Sequence, residues 1–209
     1  AASETNVGWP HTAVPGRGAV EGWVAGRGGE PWPYQREAWD AYAAGRSGLV
    51  HVPTGAGKTY AAYGGPLAEL IAEATGADGE PREVRGVRVV FITPLRAVTR
   101  DIELALKAPL DDLGLLGSAV TVESRTGDTS ASIRARQRKR LPSVLITTPE
   151  SLTLRLAETD AATRLATLRA VIVDEWHELL STKRGTQVEL ALARLRRLAP
   201  SVRTRALGD

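Results

Sequence analysis

The chain has 209 residues, 43% of them hydrophobic and 24% charged, with a formal net charge of +3, a pI near 9.5 and no cysteine. These values suit one large globular domain with a full core, and they exclude disulfides and thiolate metal sites. No apolar run approaches the roughly 18–20 residues of a membrane span. No basic-then-apolar signal segment opens the chain, and the basic excess suits a polyanionic partner without requiring one. With no methionine, even at position 1, the sequence reads as a fragment or processed product. The expected location is cytoplasmic and nucleoid-associated.

Residues 1–18 are rich in Gly, Pro, Ala and Ser and lack periodicity, so they read as a flexible leader, with one domain over 19–209. Val20 to Gly26 reads as a short helix. Tyr34 to Ala44 has helical spacing, with Tyr34, Ala38 and Tyr42 on one side. The pattern then alternates. Strands are expected at Gly48–Val52, Val87–Ile92, Ala119–Glu123, Val144–Thr147, Ala170–Val173 and Val202–Leu207. Helices are expected at Lys58–Ala74, Leu95–Lys107, Ser130–Arg140, Glu150–Ala157, Glu175–Leu180 and Thr186–Leu198. Such alternation predicts an α/β fold with a mostly parallel sheet covered on both faces. Ligands then bind at the carboxyl ends of the strands.

Two segments carry chemistry at such ends. Thr54-Gly55-Ala56-Gly57-Lys58-Thr59 lies between a strand and a helix. The helix start offers unpaired N–H groups to phosphate, and Gly55 and Gly57 let the backbone curl so that its N–H groups converge. Lys58 can reach the β- and γ-phosphates of ATP, and Thr59 can give its hydroxyl to Mg²⁺. The usual first glycine of such a phosphate loop is replaced by Val52. Val171-Ile172-Val173 reads as a central strand that delivers Asp174 and Glu175. Asp174 can hold Mg²⁺ beside Thr59, and Glu175 can orient or deprotonate an attacking water. The spacing allows the strands before Lys58 and Asp174 to be neighbours. His177-Glu178-Leu179-Leu180 begins like a zinc-binding helix, but position 181 is Ser, and the only other histidines are His11 and His51.

Together these segments resemble the motif pair of superfamily 2 helicases of the DExH type. Five stretches make the likeness closer: PYQREAWDAYAAGRSGLVHVPTGAGKT, TPLRAV, RTGDTS, TTPESL and DEWHELLSTKRG. They resemble the large helicase-related (Lhr-type) family, and within it the bacterial DEXH-box helicases associated with DNA ligases. The likeness runs from about Glu21 to Leu207. It implies the first RecA-like domain of an ATP-dependent motor that moves on single-stranded nucleic acid, DNA before RNA, in repair. Tyr34 and Gln35 would form the adenine-reading motif, with Trp32 either stacking on the base or in the core. Pro94, Leu95 and Arg96 would grip the strand backbone. So would Thr126, Gly127, Asp128 and Thr129, and Thr148, Pro149 and Glu150. Thr129 and Thr148 are expected to cap helices as well.

By the same resemblance, His177 relays nucleotide state to a Ser-Ala-Thr motif and a second RecA-like domain beyond Asp209, and repair proteins associated with DNA ligase are partners. Trp176 is either core or a family-specific contact. The basic run Arg134 to Arg140 reads either as a solvated helix face or as a contact to nucleic acid, which would be salt-sensitive and sequence-blind. Two other readings stand beside the motor: a phosphate-transferring kinase-like enzyme and a non-catalytic, ATP-gated nucleic-acid clamp.

Overall fold

A computed structural model describes residues 16–53, 55, 57–76, 79–179 and 182–208. Most of the expected leader lies outside these residues, as do His11, Thr54, Ala56, Leu180 and Ser181. In chain order the elements are α1 (Arg17–Gly26), α2 (Pro33–Ala43), β1 (Gly48–His51) and α3 (Lys58–Thr75). Then follow β2 (Val89–Ile92), a 3-10 turn (Arg96–Val98), α4 (Thr99–Asp112), β3 (Val122–Arg125), α5 (Ala131–Lys139), β4 (Val144–Thr147) and α6 (Pro149–Leu156). The last are α7 (Ala161–Leu165), β5 (Ala170–Val173), α8 (Trp176–Leu179), α9 (Lys183–Leu198) and β6 (Arg203–Gly208).

The six strands form one sheet in the order β1-β6-β5-β2-β4-β3, and every pairing is parallel. This is the RecA-like architecture. Parallel strands are buried on both faces, which explains their unbroken apolar sequences. Alternate side chains then supply two cores. Val89, Phe91, Ala170 and Ile172 join a cluster under α1–α4. Val90, Ile92, Val171 and Val173 join a second cluster under α6–α9. No helix among the described residues is long and apolar enough to cross a membrane.

Several expectations need correction. The helix expected from Val20 begins at Arg17 and takes in the last residues of the expected leader. On α2, Tyr34, Ala38 and Tyr42 do share one side packed against the first core, and the deepest residues beside them are Gln35 and Trp39. The strand expected at Ala119–Glu123 starts three residues later, because buried Ala119 and Val120 belong to a tight turn bridged between Leu116 and Val120. The helix expected at Leu95 starts at Thr99, after the 3-10 turn, and runs to Asp112. β1 and β5 are not neighbours: β6 lies between them.

Candidate nucleotide and strand site

All the motif loops leave carboxyl ends of parallel strands, so they lie on one edge of the sheet. The strand order divides that edge. The phosphate loop after β1 and the acidic segment after β5 flank β6, whereas the loops after β2, β4 and β3 fill the other half.

The nucleotide half is built around the start of α3. Gly55 and Gly57 hold left-handed backbone (φ 82° and 84°), where a side chain is strained. Among the described residues no side chain caps the first N–H groups of α3, and its first turn carries no acid. Such a start fits a phosphate group. Lys58 and Thr59 occupy its first turn. Val52 packs against the core, so the loop tolerates it in place of glycine.

Gln35 braces the loop from α2. Its Nε2 donates to the Gly57 carbonyl at 3.1 Å, while its Oε1 accepts from the Trp32 amide at 2.9 Å. A Cβ at Gly57 would stand 2.9 Å from that Nε2 and 3.6 Å from the Tyr34 hydroxyl. The buried Gln35 therefore spends one donor and one acceptor on the protein, and an amide has one more of each. Trp32 is 62% exposed and is not core.

On the other flank, Asp174 follows β5 with its amide donating to the Ile92 carbonyl at 2.8 Å. Burial, then the neighbouring Glu175 carboxylate, push Asp174 up to about 6, with Lys58 opposing. A carboxylate left short of positive charge suits a cation ligand. Glu175 is the only described non-glycine residue in left-handed backbone, at φ 49°. This turn separates β5 from α8 and places His177 Nε2 3.6 Å from Glu175 Oε2. A Cβ at Gly208 would lie 3.6 Å from His177 Nδ1, so the histidine stands between Glu175 and the end of β6. Donor atoms of Glu175, His177 and Glu178 lie within 4.8 Å of one another; this cluster belongs to the same acidic turn. Trp176 is partly buried against the second core.

The other half of the edge gathers the remaining expected residues. Thr93 is fully buried, and its hydroxyl accepts from the Leu95 amide at 3.3 Å; Pro94 stays buried, while Leu95 and Arg96 turn outward. The Arg96 guanidinium lies over Gly127, where a Cβ would approach it to 3.1 Å, and pairs with Asp128 at 3.7 Å. The Thr126–Thr129 turn closes when the Thr126 amide donates to Thr129 Oγ1 at 2.9 Å. Thr129 is therefore a turn lock, and Ser130 caps α5 by accepting from the Ile133 amide at 3.4 Å. Thr148 does cap α6, accepting from the Ser151 amide at 3.4 Å. A cleft of about 640 Å³ runs past Arg96, Thr99, Thr126, Asp128, Thr129 and Ser130.

The basic run lies on a largely exposed helix face, with Arg134 turned toward the preceding loop. Arg134 donates through Nε to the Thr129 carbonyl at 2.7 Å and through Nη2 to the Thr126 and Gly127 carbonyls. Arg136 pairs with Glu123 at 2.7 Å, and Arg140 pairs with Glu83. These cations brace the fold. Sequence reasoning also missed Arg184, which donates to Glu150 at 2.7 Å and to the Pro94 carbonyl at 3.3 Å. The cue was its place in the TKRG end of the acidic-segment stretch, which had no assigned role.

A helix start suited to phosphate and an acidic strand end, flanking one strand of a parallel sheet, define a RecA-like domain. Residues 32–207 match the DEAD/DEAH box helicase family, and the chain belongs to it. It is 37% identical over 187 residues to the ATP-dependent helicase Lhr-Core protein 2 of Thermococcus barophilus, covering 86% of this chain and 21% of that protein. It is 34% identical over 184 residues to the Lhr helicase/uracil glycosylase of Escherichia coli, covering 85% and 12% respectively. Among solved structures, the Mycobacterium smegmatis helicase Lhr bound to ssDNA and AMP-PNP matches with a TM-score of 0.76 at 34% identity, over 91% of this chain and 24% of that one. The chain thus spans no more than about a quarter of the length of these relatives.

Proposed function

We propose that this chain is the ATP-binding half of a motor that couples ATP hydrolysis to movement along single-stranded DNA, in DNA repair. One observation carries the reading most: a single sheet edge holds both the nucleotide half and the strand half, with β5 and β2 paired directly between them. A relative sharing this fold at 34% identity holds ssDNA and AMP-PNP. That likeness favours DNA as the track and ATP as the nucleotide.

In this reading Thr54, Gly55, Ala56, Gly57 and Lys58 cradle the phosphates. Thr59 and Asp174 hold Mg²⁺, which would neutralise charge building between the β- and γ-phosphates. Glu175, fixed by its strained turn, orients the attacking water and takes its proton. Tyr34 and Gln35 face the base, and Gln35 also reports its presence to Gly57. His177 passes the state of Glu175 to the end of β6 and to a second RecA-like domain. Arg96, the Thr126–Thr129 turn and the start of α6 hold strand phosphates, which carry no sequence information. Association with DNA ligase-linked repair proteins belongs to the same reading.

The 209-residue chain alone binds Mg²⁺–ATP weakly and hydrolyses it very slowly. The proposal assigns the arginine that stabilises transition-state charge, worth about 10³–10⁵ in rate where GTPases use one, to a second RecA-like domain. The test is ATPase of the chain, and of a longer chain containing both RecA-like domains, with single-stranded DNA, RNA or neither. The expected result is DNA-stimulated turnover by the longer chain only, abolished by Glu175→Gln with ATP binding retained. RNA-only stimulation would reassign the track, and retained turnover in E175Q would remove Glu175 from the chemistry.

A further inference from the structure

α9 starts just behind the acidic segment and reaches both principal strand loops. Its cap, Thr182, donates to the Leu179 carbonyl of α8 at 2.8 Å and accepts from the Gly185 amide at 3.0 Å. A Cβ at Gly185 would stand 2.0 Å from the Leu179 carbonyl oxygen, so the first turn of α9 sits directly on α8. From that turn Arg184 reaches outward. Its Nε donates to Glu150 Oε1 at 2.7 Å and its Nη1 to the Pro94 carbonyl at 3.3 Å. Pro94 follows β2, and Glu150 opens α6 after β4, the neighbouring strand. One guanidinium therefore joins the turns after two adjacent strands to α9, whose first turn rests on the helix that carries His177. Its planar fork suits two acceptors at a fixed angle, which a lysine ammonium does not reproduce.

The carboxylate end of this bridge is held charged. Burial pushes Glu150 up, but its own backbone amide, the Thr148 hydroxyl and Arg184 outweigh burial and keep it below the usual glutamate range. An ionised acceptor strengthens the Arg184 bond.

We infer that Arg184 is a positioning residue, holding the Pro94 turn and the start of α6 at the spacing a strand backbone requires and seating both on α8. The inference rests on the strand-binding reading above. A half-exposed arginine beside such loops could instead meet a phosphate itself. Two of its five N–H donors already go to Glu150 and to the Pro94 carbonyl, which fixes the guanidinium against the protein while leaving the others open to solvent.

Salt dependence separates the two roles. A phosphate contact on single strands adds about 0.7 to the slope of log K against log salt, whereas a positioning contact adds nothing. The experiment uses the 209-residue chain, a fluorescein-labelled oligo(dT) read by anisotropy across a salt series, and a fluorescent ATP analogue titrated separately. R184A should weaken oligo(dT) binding about tenfold, the scale of one lost charge-assisted hydrogen bond. Its salt slope should match wild type, and its affinity for the nucleotide analogue should stay within about twofold of wild type. E150Q should weaken oligo(dT) binding in the same direction, and R184A/E150Q should bind no worse than R184A, since R184A already removes the pair that E150Q weakens. R184K, checked for folding by circular dichroism, should stay several-fold weaker than wild type. Wild-type affinity in R184A, a slope lower by about 0.7, or full rescue by R184K would overturn the positioning role. If wild type itself fails to bind oligo(dT), the strand-binding reading falls first, and this inference falls with it.

Discussion

Glu175 pays a conformational cost at the position where chemistry is assigned. Left-handed backbone disfavours a side chain by roughly 1–2 kcal/mol, and more for a β-branched residue. At φ 49° the residue is held there by β5 on one side and α8 on the other. The expected order of stability is therefore Glu175→Gly at or above Glu175→Gln, with Glu175→Val lowest by about 1 kcal/mol or more. Thermal unfolding of the three variants checks the order, and a Val variant as stable as Gly would remove the strain argument. At this scale the sequence was most informative about residue type. A charged pair at the end of an apolar strand, and a Gly-x-Gly-Lys-Thr run before a helix, each announce a chemistry through their own side chains. It was silent about Gln35 on Gly57, Arg134 on the Thr126–Thr129 turn and Arg184 on Pro94. Those bonds end on backbone carbonyls, which every residue has, so nothing local marks them.

Helix α3 shows how an element can set a site from a distance. Gly64 and Gly65 face α2 so closely that a Cβ would stand 2.3 Å from Trp39 Nε1 and 2.6 Å from Tyr42 Cδ1. That contact lets α2 approach, and α2 carries Gln35 to the phosphate loop. Gly64→Ala improves helix propensity by about 1 kcal/mol, but overpacking costs about 1–3 kcal/mol. The net expectation is lower stability and weaker nucleotide binding, both measurable on one purified variant. Higher stability with unchanged binding would show that α2 can retreat freely. Elements differed in how well the sequence displayed them. β4 and β5 are apolar runs buried on both faces, and their ends match the expected ones. β3 is an edge strand with polar Glu123, Ser124 and Arg125, so the apolar signal slid back to Ala119 and Val120. α7 has five residues and no periodicity to show. That β6 enters between β1 and β5 is a long-range pairing, which no local pattern encodes.

Across the whole molecule, the edge opposite the site is held by charge. Glu73 on α3 accepts from Arg88 at 2.5 Å and pairs with Arg169 at 3.4 Å, tying the residues just before β2 and β5 to one helix. Hydrogen bonding by Arg88 holds Glu73 below its ordinary value of 4.5, against the opposing effect of burial. A lowered acid favours folding above its unfolded pKa, and that contribution is lost as pH falls through the folded value. Stability should therefore decline on acidification below about pH 4.5, and Glu73→Gln should flatten that limb while lowering stability at neutral pH. Chemical denaturation across pH 3–7 (roughly the carboxylate range) tests it, and an unchanged acid limb would assign the decline to other carboxylates. The position of β6 has a further consequence, in the order of synthesis. Gly48 of β1 pairs with Arg205, and Val173 of β5 pairs with Ala206, so the phosphate loop and the acidic segment are aligned only through the last strand of this sheet to be made. A growing chain on the ribosome carries a complete phosphate loop long before it can place Asp174 opposite it. On the proposed reading, the two halves of the nucleotide site come into register only when the final strand closes the sheet.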